Sequence, residues 1–231
     1  MVASAGPRPQ RQVVRDSLGV GVAVGSYGVA FGAASVAAGF SPAQTSVSSL
    51  LTFTGGTQFA IAGVIAGGGS AAAALGSGYL LGARNTLYAL RLTPLLRVHG
   101  WRRALAALFT IDESTAMALG QSQPRTSRVA FWWTAGAVYL FWNLATLLGA
   151  VGARALGDPR RFGLDAAIPA AFLALLAPRL RTGPMARRVA LAGAGIAALL
   201  IPLTPPGIPV LAACAALVVA TGPDPSGRPN E

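Results

Sequence analysis

Apolar stretches recur along this chain from residue 18 almost to residue 220, separated by short arginine-bearing connectors. A water-soluble globule cannot hide that much apolar surface here, because 11% of the 231 residues are charged, where soluble domains run at roughly a quarter. Lipid contact is spread along the chain and not confined to one anchor, which predicts an all-α fold: a polytopic transmembrane helical bundle with no soluble domain attached.

The apolar runs fall at 18–40, 44–66, 68–92, 104–119, 129–151, 165–176, 189–201 and 208–220. The last three are near or below the about 17 residues needed to cross the hydrocarbon core untilted. Seven or eight membrane segments are therefore expected, some of them broken or re-entrant. Residues 1–17 are expected as a cytoplasmic N-terminal tail, 18–220 as the transmembrane domain and 221–231 as a C-terminal tail. Arg8, Arg11 and Arg15 precede the first run and place the N-terminus in the cytoplasm. That run is long enough to span and further spans follow it, so an uncleaved first helix is the better reading than a signal peptide. The connectors 91–103 and 178–188 carry four arginines each, and their sidedness decides how the rest is oriented.

The net charge of +11 comes from arginine alone, since the 18 basic residues include no lysine. Without lysine the chain has no Walker A loop and is not itself a P-loop ATPase. The arginines lie in short clusters between apolar runs, which suits anionic lipid headgroups and not nucleic acid. A single cysteine, Cys214, and a single histidine, His99, exclude an intrachain disulfide and any multi-cysteine or multi-histidine metal site, and no cofactor is expected. Richness in alanine, glycine, proline and arginine reads as a GC-rich coding bias and a bacterial source.

Gly21, Gly25, Gly28 and Gly32 recur at spacings of 4, 3 and 4 and share one helix face. Such a stripe lets another helix approach closely; the alternative is plain glycine richness in a chain with 29 glycines. No internal sequence repeat stands out. Residues 52–69 and 202–220 are nonetheless Gly- or Pro-interrupted apolar stretches in opposite halves, the pattern of transporters built from inverted repeats.

Three polar interruptions carry the candidate chemistry. The first is Phe53-Thr54-Gly55-Gly56-Thr57-Gln58-Phe59, where adjacent glycines each weaken a helix by about 1 kcal/mol relative to alanine. Unwinding at the glycines exposes backbone groups that only protein or a water-filled cavity satisfies, a setting suited to a substrate carboxylate or ammonium, with Gln58 both donating and accepting. The alternative is a packing notch with Gln58 bonded to a neighbouring helix.

The second interruption is Arg84, with Asn85 and Tyr88 on the same polar sector. Arg84 stands eight residues before Leu92, roughly 12 Å along a helix. A charge at the bilayer centre costs on the order of 2.5 to 3.5 kcal/mol, so it needs a partner or a purpose, unless the helix ends early and the side chain snorkels to the headgroups. The third is Asp112-Glu113, the one adjacent acidic pair in the sequence. Two neighbouring carboxylates resist carrying charge together, which makes one a candidate proton carrier; one of them also suits Arg84 or a substrate ammonium. The alternative is a capping cluster at the start of an interfacial helix. Trp101, Trp132, Trp133 and Trp142 fit interfacial belts or packing, His99 marks a loop, Cys214 reads as an inert apolar side chain and Asp165 as a helix N-cap.

The order G-S-Y-G-V-A-F-G (25–32), F-T-G-G-T-Q-F-A (53–60), L-G-A-R-N-T-L-Y (81–88) and F-T-I-D-E-S-T-A (109–116) resembles the AzlC family, the large subunit of bacterial branched-chain amino acid exporters. G-L-D-A-A-I-P-A (163–170) is similar to that family's entry into its sixth segment, and the resemblance covers about residues 15–220. It implies a bacterial cytoplasmic (inner) membrane location and efflux of valine, leucine, isoleucine and sometimes methionine, driven by the proton gradient with a small AzlD-type membrane partner. Family members often carry alanine or serine in the G-x-x-Q patch, where this chain has Gly56 and Thr57.

The leading expectation is an exporter whose amino-acid substrate contacts Thr54, Gly55, Gly56, Gln58, Arg84, Asn85 and Tyr88, with Asp112 or Glu113 carrying the proton. A non-transporting membrane scaffold, motivated by the glycine stripe, is the alternative. An integral membrane enzyme using the acidic pair lacks a recognisable nucleophile and base, so the chain is expected not to be an enzyme and no catalytic residue is assigned.

Overall fold

A computed structural model of the chain describes residues 9–157, 163 and 166–221. Among the described residues every regular element is helical. Helices α1 (Gln10–Gly25) and α2 (Gly28–Ala37) form one bent rod. At the bend the Ser26 hydroxyl donates to Ala23 O at 2.8 Å, a local bond that competes with the helix ladder. Six helices follow: α3 (Pro42–Leu51), α4 (Gly55–Ala66), α5 (Ala71–Gly82), α6 (Arg84–Leu96), α7 (Trp101–Leu108) and α8 (Asp112–Leu119). The long α9 (Pro124–Ala155) comes next, then α10 (Ala167–Leu180), α11 (Pro184–Leu200), α12 (Ile208–Ala213) and a terminal 3-10 helix, Cys214–Thr221.

Among the described residues, the bent rod Gln10–Ala37 and α9 are the helices long and apolar enough to cross a membrane, at 28 and 32 residues. At 1.5 Å per residue they extend about 42 and 48 Å. The bent rod reaches back into the segment expected as a polar tail. Val13, Ser17, Gly21 and Gly25 recur every four residues and are all buried, so this stretch has a packing face despite its arginines.

The glycine stripe lies against α9. A Cβ added at Gly21 would collide with Ala137, at Gly25 with Phe141, at Gly28 with Trp142 O and at Gly32 with Thr146 O, while one at Gly149 would meet Val29 O. Contact at backbone distance is possible only without side chains on that face. Thr134 Oγ1 donates to Ser17 Oγ at 2.9 Å within the same buried seam.

Several expected spans are divided differently from the sequence reading. The 44–66 run is broken at residues 52–54, just ahead of the glycines, and Gly55 and Gly56 form the first turn of α4 instead of an unwound loop. The break there needs no glycine, because Thr52 closes α3 by donating its hydroxyl to Ser48 O at 2.6 Å. The 104–119 run is two helices, with the break falling just before the acidic pair. Most of 91–103 and 178–188 is helical, leaving connectors of 97–100 and 181–183. His99 lies in the former, exposed. Asp165 lies outside the described residues.

The ends of α3 and α5 are locally encoded. Ser41 and Gln44 form a reciprocal capping box with Pro42 at the first helical position, and Ser70 Oγ accepts from Ala73 N at 3.2 Å to start α5. Pro206 and Gly207 pack on the α4–α5 turn, where Gly207 abuts Ala73 and Val64.

The core joins Phe31, Phe53, Phe59, Val138, Trp142 and Ile168, and a second cluster packs Leu92, Leu96, Ala118 and Phe131. Much of the remaining interior is small or hydroxylic, with Ser17, Thr45, Ser49, Thr134 and Thr146 fully buried, while Leu51, Leu75, Tyr79, Leu90 and Leu148 stand exposed. Small buried residues inside and large aliphatic ones outside is the distribution expected of a chain solvated by lipid.

Candidate functional site

Three helix interruptions converge on one place. The break at 52–54 and the break at 109–111 lie side by side, because Phe53 packs on Phe109 with ring centroids 6.0 Å apart and on Tyr139 at 4.9 Å. The third, at Ala83, is a tightening between α5 and α6, where Thr86 N donates to Ala83 O at 3.0 Å. The N-terminal ends of α4 and α8 therefore meet the start of α6, and the first turns of α4 and α8 carry the partial positive charge of helix N-termini.

Arg84 begins α6, and its guanidinium lies beside the first turn of α4: a Cβ added at Gly56 would stand 3.4 Å from Arg84 Nη2. The same Nη2 lies 3.0 Å from Asp112 Oδ2, with each side chain 41% exposed. The sequence left Arg84 either paired or snorkelling; the structure pairs it with the residue that opens α8. Tyr88, one turn beyond Arg84 on α6, lies near Asp112. Glu113 is half-buried beside Asp112 in the first turn of α8, where helix polarity favours negative charge.

Thr54 precedes α4 without a side-chain cap, so its side chain does not engage the first amides of that helix. The α8 end differs, since Ser114 Oγ accepts from Ile111 N at 3.1 Å and donates to Phe109 O at 2.7 Å. Arg84 Nε, Asn85 Oδ1 and Asp112 Oδ1 are all shielded from solvent and have no hydrogen-bond partner. An unmade hydrogen bond at a shielded polar group costs about 1–3 kcal/mol, so three such atoms on neighbouring positions mark a place suited to a polar ligand.

Gln58 is placed differently from its neighbours. Its side chain is 2% exposed, its Nε2 donates to Ser49 O at 3.2 Å and Thr52 O at 3.1 Å, and its Oε1 accepts from Trp142 Nε1 at 2.9 Å. Both donor hydrogens are thus engaged in holding the break, which leaves one acceptor position on Oε1. Trp142 was read from sequence as belt or packing. It does pack, stacked on Phe31 and edge-on to Phe59, and it also lies across Gly55, where a Cβ would approach its ring to 3.0 Å. Nothing local in the sequence signals that a tryptophan 84 residues away supports the Gln58 break.

The site thus offers a cation, two carboxylates, a phenol and an uncapped helix N-terminus within one sector. That set is chemically suited to a zwitterion, with Arg84 complementary to a carboxylate and Asp112 to an ammonium. Among the described residues no group of three or more His, Cys, Asp or Glu side chains is arranged to hold a metal ion.

A family model described as AzlC protein matches residues 19–156, a range that runs from within α1 to the end of α9 and takes in all three interruptions. No curated protein and no solved structure matches the chain.

Proposed function

The chain belongs to the AzlC protein family, membrane transporter subunits associated with branched-chain amino acid transport, and from that membership we propose that it exports branched-chain amino acids. Valine, leucine and isoleucine are the proposed substrates, with methionine a further one. Export is coupled to protons and needs a small AzlD-type membrane subunit. The location proposed is the bacterial cytoplasmic (inner) membrane, crossed by seven or eight segments, some of them broken.

The observation that carries this reading is the Arg84–Asp112 ion pair, half-exposed at the uncapped end of α4. An amino acid inserted there exchanges one ion pair for two: its carboxylate replaces Asp112 on Arg84 and its ammonium takes the Asp112 carboxylate. Charge stays balanced throughout, which keeps the substitution cheap in a weakly polar setting. Thr54, Gly55, Gly56, Asn85 and Tyr88 line the exchange, and Gln58 holds the α3–α4 break in shape. Export driven by an inward proton gradient requires proton and substrate to exclude one another. A carboxylate at 112 or 113 that binds the substrate ammonium meets this requirement, because its protonation removes the ammonium's partner.

The scaffold alternative drew on the glycine stripe, and α9 occupies that face within the chain itself. Reconstitution in proteoliposomes, with and without the small subunit, is the test. Proton-gradient-dependent leucine and valine flux is the expected result; vesicles that move neither under any gradient would overturn the reading.

A further inference from the structure

A cavity of about 310 Å³ runs beside the candidate site, bounded by Ala60, Val64 and Gly63 on α4 and by Leu81, Phe172 and Val210 from other helices. Its wall on α4 is continuous with the zwitterion site. Gly56 precedes Ala60 by one turn on the same face, and Leu81 precedes Arg84 by about one turn. A Cβ at Gly56 would stand 3.4 Å from Arg84 Nη2 and 3.6 Å from Leu81 Cδ2, so guanidinium and cavity wall meet at that glycine. A second cavity of about 390 Å³, walled by Ala34, Ala38, Ile168 and Pro169, is bordered by none of Gly56, Leu81 and Arg84 and has no charged anchor.

Resting on the amino-acid transport reading above, we propose that the smaller cavity receives the substrate side chain and that Ala60, Leu81 and Phe172 set the size accepted. Its lining residues are all apolar or glycine. A side chain bearing an amide or a charge would be desolvated there without a partner, which excludes it far more strongly than any misfit of shape. Its volume is at the lower end of ligand sites, which begin at about 300 Å³, enough for an aliphatic side chain and too little for a peptide. Polar selection thus takes place at the helix ends and size selection one turn further along α4.

The full chain with its small partner, reconstituted in vesicles, tests this through efflux of alanine, valine, leucine and phenylalanine from matched internal concentrations. Ala60→Leu fills the cavity near its polar end and should lower the leucine-to-alanine flux ratio about ten-fold or more, the discrimination a methylene or two commands in an apolar pocket. Phe172→Ala enlarges the far wall and should raise phenylalanine flux relative to leucine. Equal loss of all four amino acids in Ala60→Leu, at an unchanged melting temperature, would overturn the assignment. If Ala60→Leu does not fold, the Phe172→Ala ratio decides, and no change in it overturns the assignment. Failure of the underlying transport reading looks different, since the wild-type protein would then move no amino acid.

Discussion

Trp142 Nε1 donates a hydrogen bond to Gln58 Oε1 at 2.9 Å, tying the first turn of α4 to the middle of α9. Gln58 also holds Ser49 O and Thr52 O, so one side chain closes α3, bridges the break and fixes α4. Trp142→Phe keeps an aromatic ring against Phe31 and Phe59 but leaves the Gln58 oxygen buried without its donor. A loss of about 1–3 kcal/mol is expected, read as a lower melting temperature in detergent. Gln58→Leu should cost more, because two backbone carbonyls lose their donor together. A Gln58→Leu protein with wild-type melting and only a raised KM would instead make Gln58 a direct substrate contact.

Arg84 and Asp112 are predicted to behave in the opposite way. Each is 41% exposed, and a pair that accessible is worth about 0–1 kcal/mol to the fold. Arg84→Ala and Asp112→Ala should therefore melt within a few degrees of wild type while losing most amino-acid flux. Arg84→Lys keeps the charge but loses the planar fork that grips a carboxylate, and an intermediate loss is expected. Exchanging the two charges, Arg84→Asp with Asp112→Arg, restores attraction without restoring transport, since the cation no longer lies beside Gly56. Recovery of flux in the exchanged protein would sink the zwitterion site.

What the sequence made legible was chemistry on one local stretch at a time. The glycine stripe was readable because a 4-3-4 spacing is a property of a single helix, and its partner α9 was legible as the apolar run 129–151. The polar interruptions at 54–58, 84–88 and 112–113 were readable because each is anomalous in its own apolar surroundings. Where the breaks fall was not. Glycine propensity pointed at Gly55 and Gly56, but the chain turns at 52–54, where the Thr52 hydroxyl and the buried Phe53 outweigh a propensity difference of about 1 kcal/mol. The Arg84–Asp112 pairing was one option among several, and the Gln58–Trp142 bond had no local signature, because both depend on how distant helices dock.

Proton coupling separates the two acidic neighbours. Asp112 is paired with Arg84, whereas Glu113 sits half-buried beside it in the same turn of α8. Replacing the coupling carboxylate by its amide should leave substrate exchange at equal pH on both sides measurable while abolishing the extra flux that an imposed pH gradient drives. Glu113→Gln should retain both behaviours if Asp112 carries the proton and lose only the gradient response if Glu113 does, whereas Asp112→Asn should lower flux in both modes because it also removes the ammonium's partner. Asp112→Asn and Glu113→Gln, each assayed in exchange and in gradient-driven modes, assign the proton. Full gradient response in both single variants and in the double variant would place coupling elsewhere in the chain.

The glycine seam yields a prediction with an internal control. At Gly28 and Gly32 an added methyl would meet the α9 backbone at Trp142 O and Thr146 O, atoms that move only if the whole helix moves. Gly19 on α1 and Gly136 on α9 have open space where a Cβ would stand. Alanine at position 28 or 32 should thus cost about 1–3 kcal/mol through forced separation of the two longest rods. Alanine at 19 or 136 should be neutral or gain up to about 1 kcal/mol from better helix propensity. Because Trp142 supports Gln58, displacing α9 at Gly28 should also loosen the α3–α4 break and lower amino-acid flux, whereas displacement at Gly32, one turn farther on, should affect melting more than flux. Thermal melting of the four variants in detergent, paired with vesicle flux, checks both halves, and equal melting of Gly32→Ala and Gly19→Ala would mean that α2 does not pack on α9 through this face.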